Sequence, residues 1–284
     1  MIPCDLCGSR DPVLVLESPR LDGPLVRCIN CGLYYVGERR SNLAFGSDSA
    51  ADTTQRIRDA NRDLQGIDLD EERRLAGLNA RTRLDLIRRY RPSGRLLEVG
   101  CARGDFLRVA KEYFNVTGVE PNEELARDAV VVAPVDQGII ENHAESEYDV
   151  AASFHVIEHT DSPRRFLEAI AARVQPGGLV VIETPNIHSV PFRVLKARWR
   201  QFIPEHYFFF DEKTMTRLFE NAGITVERIA RIGKFASPAL ILNRLARYFR
   251  PLRYAESAAA RLNLKRVVLP VDPFDIMIAI GRKR

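Results

Sequence analysis

One stretch of this sequence, residues 95–110, limits the possible folds more than any other. It begins as a short apolar strand at 95–99 and continues as a turn between Gly100 and Gly104. Apolar residues then recur at helical spacing, which predicts a helix from Asp105 onward. A strand, a glycine turn and a helix are typical of a nucleotide-type site in an open α/β sheet, because the glycines let a ligand approach the backbone.

A second strand is predicted at residues 116–120, and it ends in a carboxylate. This residue, Glu120, lies 20 residues after Gly100, the spacing at which an acidic side chain can reach the ribose hydroxyls of a bound nucleoside. The glycines do not form the G-x-G-x-x-G pattern of dinucleotide-binding folds, so a dinucleotide is not indicated.

Strands and helices alternate through the rest of the main domain. Helices are predicted at 68–90, 122–129, 161–174 and 211–222, and further strands at 130–135, 148–154, 179–183, 224–232 and 274–280. This alternation predicts an α/β fold with a parallel, doubly wound sheet. Right-handed crossovers then place helices on both faces of the sheet.

Four of the five cysteines form two short pairs, Cys4-x-x-Cys7 and Cys28-x-x-Cys31. In a cytoplasmic chain this spacing favours a metal site over two disulfides, and four thiolates can surround Zn²⁺ with no position left for water. We therefore expect residues 1–36 to form a zinc ribbon with a structural ion. Unrelated surface thiols or a redox pair are the alternatives.

Composition limits the domain count and the compartment. The 284-residue chain is 45% hydrophobic, which suits one sizeable core plus a small module. It has no run of 18 apolar residues and no secretory signal, so a cytoplasmic location is expected. The net charge of +4 does not by itself indicate nucleic acid. The expected organisation is a zinc-ribbon module at 1–36, a connector at 37–66 and a main domain at 67–284, with a helical insertion at about 233–271.

The glycine turn resembles motif I of the class I S-adenosylmethionine-dependent methyltransferases, with Ala102 in place of the middle glycine. Four later segments resemble, in order, motifs of the small-molecule methyltransferases related to the ubiquinone-biosynthesis O-methyltransferases. They are residues 155–159, 176–178, 183–186 and 204–211. The resemblance implies a Rossmann-like, mostly parallel sheet whose last two strands form an antiparallel edge. A four-cysteine module on such a domain resembles a subset that modifies sugars, including nucleotide-linked deoxysugars, and other biosynthetic intermediates.

Ligands of open α/β sheets bind outside the carboxyl ends of the strands, so S-adenosylmethionine is expected there. The loop after the third strand offers Ile139 or Ile140 as a surface for the adenine ring, and Glu120 is expected to bind the ribose. The residues expected to contact the cofactor are Glu98, Gly100, Cys101, Ala102, Gly104, Phe106, Glu120, Pro121, Asp136, Gly138, Ile139, Phe154 and His155. For Cys101, a small residue that fits the turn is a simpler interpretation than a nucleophile.

Methyl transfer mainly requires alignment of acceptor, methyl group and sulfur, and a base helps when the acceptor is a hydroxyl or a carbon acid. Because histidine titrates near the working pH, the candidate bases are His155, His159 and His206. Glu158 is expected to orient one of these rings. The alternatives are that Glu158 braces the next helix and that His155 packs beneath the cofactor. Mg²⁺ or another divalent ion is a further alternative that no ligand spacing supports.

Basic residues follow the fifth strand on the expected acceptor side. Lys196, Arg198 and Arg200 could bind a phosphate or carboxylate of the acceptor, or form a solvated loop. The arginines of the insertion also have two interpretations. They could belong to a substrate lid or an interface for anionic partners, or to the solvated face of a core-packing helix.

The sequence therefore predicts an enzyme that methylates a small molecule, a sugar or a glycan intermediate, which can bear phosphate, with oxygen as the expected atom. The alternatives are C-methylation of a nucleotide-linked keto sugar, methylation of RNA, and a non-catalytic zinc-ribbon adaptor. The retained Glu98, Gly100, Gly104 and Glu120 argue against the adaptor. Neither nucleic acid nor a transmembrane segment is expected.

Overall fold

The computed structural model describes residues 2–39, 69–246, 264–272 and 274–284. Its helices are α1 (Leu69–Arg88), α2 (Asp105–Ala110), α3 (Glu123–Val130), α4 (Pro163–Arg173), α5 (Val190–Leu195), α6 (Glu212–Asn221) and α7 (Pro238–Ala246). The strands are β1 (Pro12–Leu16), β2 (Leu25–Cys28), β3 (Tyr34–Val36), β4 (Gly94–Val99), β5 (Phe114–Glu120), β6 (Val135–Gln137), β7 (Tyr148–Phe154), β8 (Val174–Pro185), β9 (Phe208–Phe209), β10 (Ile224–Arg231), β11 (Lys234–Ala236), β12 (Leu269–Val271) and β13 (Ile276–Lys283).

The main sheet contains seven strands in the order β10-β13-β8-β7-β4-β5-β6. The neighbours from β8 to β6 are parallel, whereas β13 runs antiparallel to both β8 and β10. Side chains of β4 alternate between two cores, with Leu96 in the cluster that α1 and α2 cover and Leu97 in the one that α4 and α6 cover. The predicted α/β sheet with helices on both faces and an antiparallel edge is therefore confirmed.

Three predicted strand positions differ from the structure. The apolar run at 130–135 is not a strand, because α3 extends to Val130 and pairing with β5 begins only at Val135. Val130 and Val131 are exposed on the surface, so their apolar character does not report a buried strand. The strand predicted at 179–183 is β8. It starts earlier, at Val174, and includes the Pro-Gly-Gly segment that was expected to precede it. The last strand lies at Ile276–Lys283 rather than at 274–280.

The cysteine-bearing segment and the main domain share one sheet. Strands β1, β2 and β3 are continued by β9 from the main domain, with Tyr34 paired to Phe209 and Tyr35 to Phe208. The Asp5 carboxylate also accepts hydrogen bonds from the Ser162 hydroxyl at 2.7 Å and the Arg164 amide at 2.9 Å, at the start of α4. The segment is therefore packed onto the domain rather than attached by the chain alone.

The predicted insertion is only partly helical where it is described. Its two ends pair as the antiparallel strands β11 and β12, and α7 follows β11. The connector expected at 37–66 lies outside the described residues from residue 40 onward, as do residues 247–263 of the insertion. Within the described ranges, no helix has both the length and the apolar composition needed to cross a membrane.

The packing behind the glycine turn gives a first testable prediction. A Cβ atom on Gly118, in β5, would lie 2.6 Å from the Cys101 sulfur and 2.9 Å from Cδ1 of Leu107. We therefore expect Gly118→Ala to lower the free energy of unfolding by about 1–3 kcal/mol, because those side chains must move. Urea denaturation measures the change.

Gly77→Ala is the matched control. Gly77 lies inside α1, and a Cβ there would meet nothing within 4 Å, so alanine should stabilise the helix by up to about 1 kcal/mol. Equal effects of the two substitutions would contradict the packing described for β5.

Candidate active site

The glycine turn after β4 has a left-handed backbone at three positions. Gly100, Ala102 and Gly104 have φ values of 77°, 45° and 76°. At Gly100 a Cβ would also come within 2.3 Å of Cγ2 of Val156, so only glycine fits there. Ala102 occupies the place of the usual middle glycine and adopts the conformation that glycine favours, at a cost of roughly 1–2 kcal/mol.

Glu120 connects this turn to the next loop. Its Oε2 accepts a hydrogen bond from the Ala102 amide and its Oε1 accepts one from the Asn122 amide, each at 2.9 Å. Burial raises the pKa of the Glu120 carboxyl, and the two amides act in the opposite direction. The carboxyl group is thus fixed between the carboxyl ends of β4 and β5.

Glu98 is buried beside the same turn. Burial raises the pKa of its carboxyl well above the ordinary value. Its Oε2 has no hydrogen-bond partner in the part of the chain that the structure describes. A buried polar atom without a partner fits a site that a polar ligand completes.

Two cavities flank the glycine turn. One, of about 290 Å³, is lined by Gly100, Pro121, Gly138 and Ile139, which brings together four of the residues predicted to contact the cofactor. The other, of about 900 Å³, includes Ala102 among its lining residues.

Other residues predicted to contact the cofactor have different surroundings. Cys101 is buried, where burial raises the pKa of its thiol. Phe106 packs edge-on against Phe154, with ring centroids 4.8 Å apart. Asp136 instead binds Nδ1 of His143 at 2.6 Å and lines neither cavity.

His155 stands at the carboxyl end of β7 between two buried carboxylates. Its Nδ1 lies 3.1 Å from Oε1 of Glu158, and its Nε2 lies 2.9 Å from Oε1 of Glu183. The backbone φ of His155 is 59°, a left-handed conformation that places the ring there. The other oxygen of Glu158 accepts a hydrogen bond from the Thr184 hydroxyl at 2.9 Å. Burial would raise the pKa of Glu158, but His155 holds it down to about 2.

Two further charged residues, Arg83 and Lys234, complete this group, and no sequence motif indicated either of them. Arg83 of α1 binds Glu183 through two hydrogen bonds of 2.8 and 2.7 Å. Burial would raise the pKa of Glu183, but Arg83 and then Lys234 hold it well below its ordinary value. Lys234 of β11 places Nζ 2.8 Å from Nε2 of His155 and 3.5 Å from Oε1 of Glu183. The sequence contained one indication of this charge cluster, the carboxylate of Glu183 near the end of an apolar strand.

The other two candidate bases, His159 and His206, lie together beside Glu158. The rings of His159 and His206 are 4.5 Å apart between centroids. Nδ1 of His159 lies 3.0 Å from the carbonyl oxygen of Glu205, and Nδ1 of His206 lies 2.7 Å from that of Gln201. Burial lowers the pKa of both, for His206 to about 3.

The structure gives a divalent ion some geometric support, although the ligand spacing did not suggest one. One donor atom from each of Glu158, His159 and His206 lies within 4.8 Å of the others. The three residues are thus compact enough to surround a single ion.

Three basic residues were predicted on the acceptor side. Lys196 and Arg198 are exposed, whereas Arg200 is half-buried. The guanidinium of Arg200 donates to both oxygens of the buried Asp275, at 2.9 and 2.6 Å, and the Trp199 indole donates to the same carboxylate at 3.1 Å. This network ties the segment after α5 to the start of β13.

The four predicted metal ligands come together in the N-terminal segment. The sulfur atoms of Cys4 and Cys31 are 3.4 Å apart, those of Cys7 and Cys28 are 3.5 Å apart, and all four lie within 4.8 Å of one another. A tetrahedral zinc ion with Zn–S bonds of about 2.3 Å places sulfurs roughly 3.8 Å apart, so the donor set fits such an ion.

The ion pair between Arg83 and Glu183 gives a testable prediction. We expect Arg83→Gln to lower the free energy of unfolding by about 3 kcal/mol at pH 7, because a buried carboxylate loses the guanidinium that binds both of its oxygens. The low pKa of Glu183 stabilises the folded state above the ordinary glutamate pKa of about 4.3, and this contribution is lost as the pH falls. The difference between variant and wild type should therefore shrink at acidic pH. Urea denaturation at neutral and acidic pH tests this.

Arg81→Gln on the same helix is the control. Arg81 pairs with Glu112 at 3.2 Å, and both side chains are about half exposed, so its loss should cost less than about 1 kcal/mol. A similar cost for both variants would mean that the Glu183 pair is not specially important.

Known proteins resemble this chain in sequence over the main domain. A family model described as a methyltransferase domain matches residues 69–229, more than half of the chain. The ubiquinone biosynthesis O-methyltransferase of Aeromonas salmonicida is 28% identical over 157 residues, which cover 49% of this chain and 66% of that protein. The enzyme of the same name from Erwinia tasmaniensis is 34% identical over 106 residues, which cover 34% and 44%. The chain thus spans less than two thirds of the length of either relative.

Solved structures show the same fold at low sequence identity. An S-adenosylmethionine-dependent methyltransferase from Thermotoga maritima superimposes with a TM-score of 0.51 and 19% identity, covering 75% of this chain and 91% of that one. A chain of the complex between the Haloferax volcanii Trm112 methyltransferase activator and a methyltransferase gives 0.53 and 17%, covering 78% and 95%. These similarities concern the fold alone. The match over residues 69–229, on a sheet of this topology, shows that the chain belongs to the methyltransferase domain family.

Proposed function

We propose that this protein transfers the methyl group of S-adenosylmethionine to an oxygen atom of a small molecule, a sugar or a glycan intermediate. The names of the matched relatives, which are O-methyltransferases, support oxygen as the acceptor atom. S-adenosylmethionine supplies a methyl group on a sulfonium. The residues of this chain then have three tasks: to hold that molecule, to align the acceptor and to take up the proton that the acceptor loses.

The glycine turn, Glu98 and Glu120 form the proposed cofactor site. Each carboxylate oxygen of Glu120 accepts one backbone amide and keeps a lone pair, so the two ribose hydroxyls can each donate to it. The adenine ring would lie in the 290 Å³ cavity beside Ile139. The unpartnered Oε2 of Glu98 would accept a donor from the amino acid part of the molecule.

The observation that carries the proposal is the position of His155 between Glu158 and Glu183. Both ring nitrogens lie within hydrogen-bond distance of a carboxylate oxygen, so the two carboxylates stabilise the imidazolium that forms when the ring takes up a proton. About a quarter of the His155 side chain is exposed, at the sheet edge where the acceptor is expected. His159 and His206 are less suited, because burial lowers the pKa of both and makes each a weak base.

The cysteine cluster is proposed to hold one structural zinc ion. The sulfur separations fit tetrahedral coordination, and a left-handed glycine follows each pair, Gly8 with φ 72° and Gly32 with φ 84°. The amides of these glycines donate to the carbonyls of Cys4 and Cys28 at 2.7 and 3.0 Å, which curls the backbone around the cluster. With four thiolate ligands such an ion stabilises the fold and takes no part in the reaction.

The proposed reaction is tested with methyl-labelled S-adenosylmethionine and a cell extract separated by size. The wild type should place label in the small-molecule fraction, and His155→Asn should lower that rate by about 10²-fold or more while S-adenosylmethionine affinity stays nearly unchanged. Glu120→Gln should instead weaken the affinity measured by calorimetry by roughly tenfold or more.

His188→Asn is the control for His155, because His188 is half exposed and pairs with Asp211 outside the proposed site. Label that appears in RNA and not in small molecules would favour the RNA alternative. A deuterium exchange at an acceptor carbon without methyl transfer would favour C-methylation. An unchanged rate for His155→Asn would show that another group takes up the proton.

The zinc proposal predicts about one zinc ion per chain in freshly purified, reduced protein. Cys28→Ser should release the ion and make residues 2–36 more sensitive to protease, because one of four thiolate ligands is gone. Cys101→Ser should retain the ion, since this buried cysteine lies outside the cluster. Metal analysis that finds no zinc in the wild type would refute the proposal.

A further inference from the structure

The insertion contributes a side chain to the site. Lys234 lies in β11, beyond the residues that the family model matches. The neighbouring Phe235 fixes this strand on α1, since its amide donates to Oδ1 of Asn79 at 2.7 Å and its carbonyl accepts from Nδ2 of Asn79 at 3.5 Å. Pairing of β11 with β12 holds the strand from the other side. The position of Lys234 is therefore set by the fold.

Lys234 also lines a cavity that His155 does not reach. This cavity measures about 380 Å³, a size common among small-molecule pockets, which span roughly 300–1,000 Å³. Apolar side chains of α1, β11 and α7 form most of its wall, among them Leu75, Phe235 and Leu240. Arg200 and Lys234 supply polar groups. A molecule bound here would meet Lys234, and Lys234 in turn contacts His155.

The Lys234–His155 contact joins two basic nitrogens. Nζ of Lys234 and Nε2 of His155 are 2.8 Å apart, so a proton can pass from the amine to the ring. A ring that has taken up this proton can donate from both nitrogens, Nδ1 to Glu158 and Nε2 to Glu183. Lys234 is then neutral again and faces the cavity.

We propose that the cavity between α1 and the insertion binds the methyl acceptor, and that neutral Lys234 takes the proton from its reacting hydroxyl. The inference rests on the methyl transfer proposed above and adds the acceptor's place and its first proton contact. The apolar wall selects an acceptor with an apolar flank, in which the hydroxyl lies at the end nearest Lys234.

The proposed step balances in atoms and charge. The acceptor oxygen forms a bond to the methyl carbon while the carbon–sulfur bond breaks and leaves its electron pair on sulfur. The proton of the acceptor hydroxyl moves to Nζ of Lys234, and Nζ passes a proton to Nε2 of His155, where the imidazolium that forms lies between Glu158 and Glu183. The sulfonium loses its positive charge in the same step, so the total charge of the site does not change, and one proton later leaves to solvent.

Burial and the nearby arginines favour the neutral form of Lys234 more than in an exposed lysine. Burial lowers the pKa of Lys234 to about 8, with Arg83 and Arg200 adding to the effect and Glu183 opposing it. The titratable or charged groups that face it from the surrounding elements are Arg83 and Glu72 of α1, His155 after β7, Glu183 of β8, Arg200 after α5 and Arg244 of α7. A lysine with a pKa near the working pH suits general-base catalysis.

Two substitutions separate proton transfer from fixed charge. Lys234→Met should lower methyl transfer to the small-molecule fraction by about 10²-fold or more, with unchanged S-adenosylmethionine affinity. Lys234→Arg should not restore the rate, because a guanidinium stays protonated. The exposed Lys213 of α6 provides the control, Lys213→Met, which should behave as wild type. Recovery of the rate by arginine would overturn the proposal and indicate a fixed positive charge instead.

A second measurement needs no acceptor. Competitive labelling of the full chain with acetic anhydride, read by mass spectrometry across pH, reports the ionisation of each lysine. Lys234 should react with an apparent pKa below that of Lys213, and His155→Asn should shift the value for Lys234 alone. Identical profiles for Lys234 and Lys213, or no shift in His155→Asn, would overturn the proton transfer between Lys234 and His155 while leaving the proposed methyl transfer standing. If instead the wild type labels no small molecule, the proposed function fails, whatever the lysine profile shows.

Discussion

A buried ion pair between Arg83 and Glu183 is the interaction on which the arrangement of the site depends. Glu183 is fully buried at the carboxyl end of β8, where an unpaired carboxylate would cost several kcal/mol. Arg83 balances it through two hydrogen bonds and thereby fixes α1 across the end of the sheet. Because the carboxylate stays ionised, it also attracts His155 and Lys234 from two other elements. One helix, two strands and the insertion therefore meet at a single charge.

The backbone is strained next to this charge cluster. Ala102 and His155 are two of the five described residues other than glycine with positive φ, and they follow the ends of the neighbouring strands β4 and β7. Each costs of the order of 1 kcal/mol or more, which the surrounding packing must offset. Such strain is common at functional sites, where the chain turns a peptide group or a ring toward a ligand at the expense of stability.

Local patterns were enough to predict the fold, and several residues predicted for the cofactor site line one cavity. The strand, the glycine turn and the spacing to Glu120 predicted the centre of the sheet, and the resemblance predicted its antiparallel edge. The cysteine spacing predicted that the two sulfurs of each pair lie close together, and the structure brings the two pairs together as the zinc interpretation requires. Errors arose where apolar character did not mean burial: Val130 and Val131 read as a strand, although both are exposed at the end of α3.

The parts of the site that were missed come from residues distant in sequence. Arg83 and Glu183 are 100 residues apart, and Lys234 is 79 residues from His155, so no short motif joins them. Asp136 was predicted to contact the cofactor, and the structure adds a contact that the sequence did not indicate, with the buried His143 of the next segment. Contacts between side chains that only tertiary packing brings together cannot be predicted from hydrophobic periodicity or motif spacing.

The shared sheet has a consequence for how such chains can be recombined. Strand β9 gives the cysteine-bearing segment its fourth strand, and it follows directly after His206 and Tyr207 in the main domain. A chimera that imports residues 2–39 without residues 206–210 would leave the outer edge of β3 unpaired, with its amide and carbonyl groups open to intermolecular association. The segment is contiguous in sequence but not a self-contained cassette. Any exchange between relatives has to carry both pieces of the chain together.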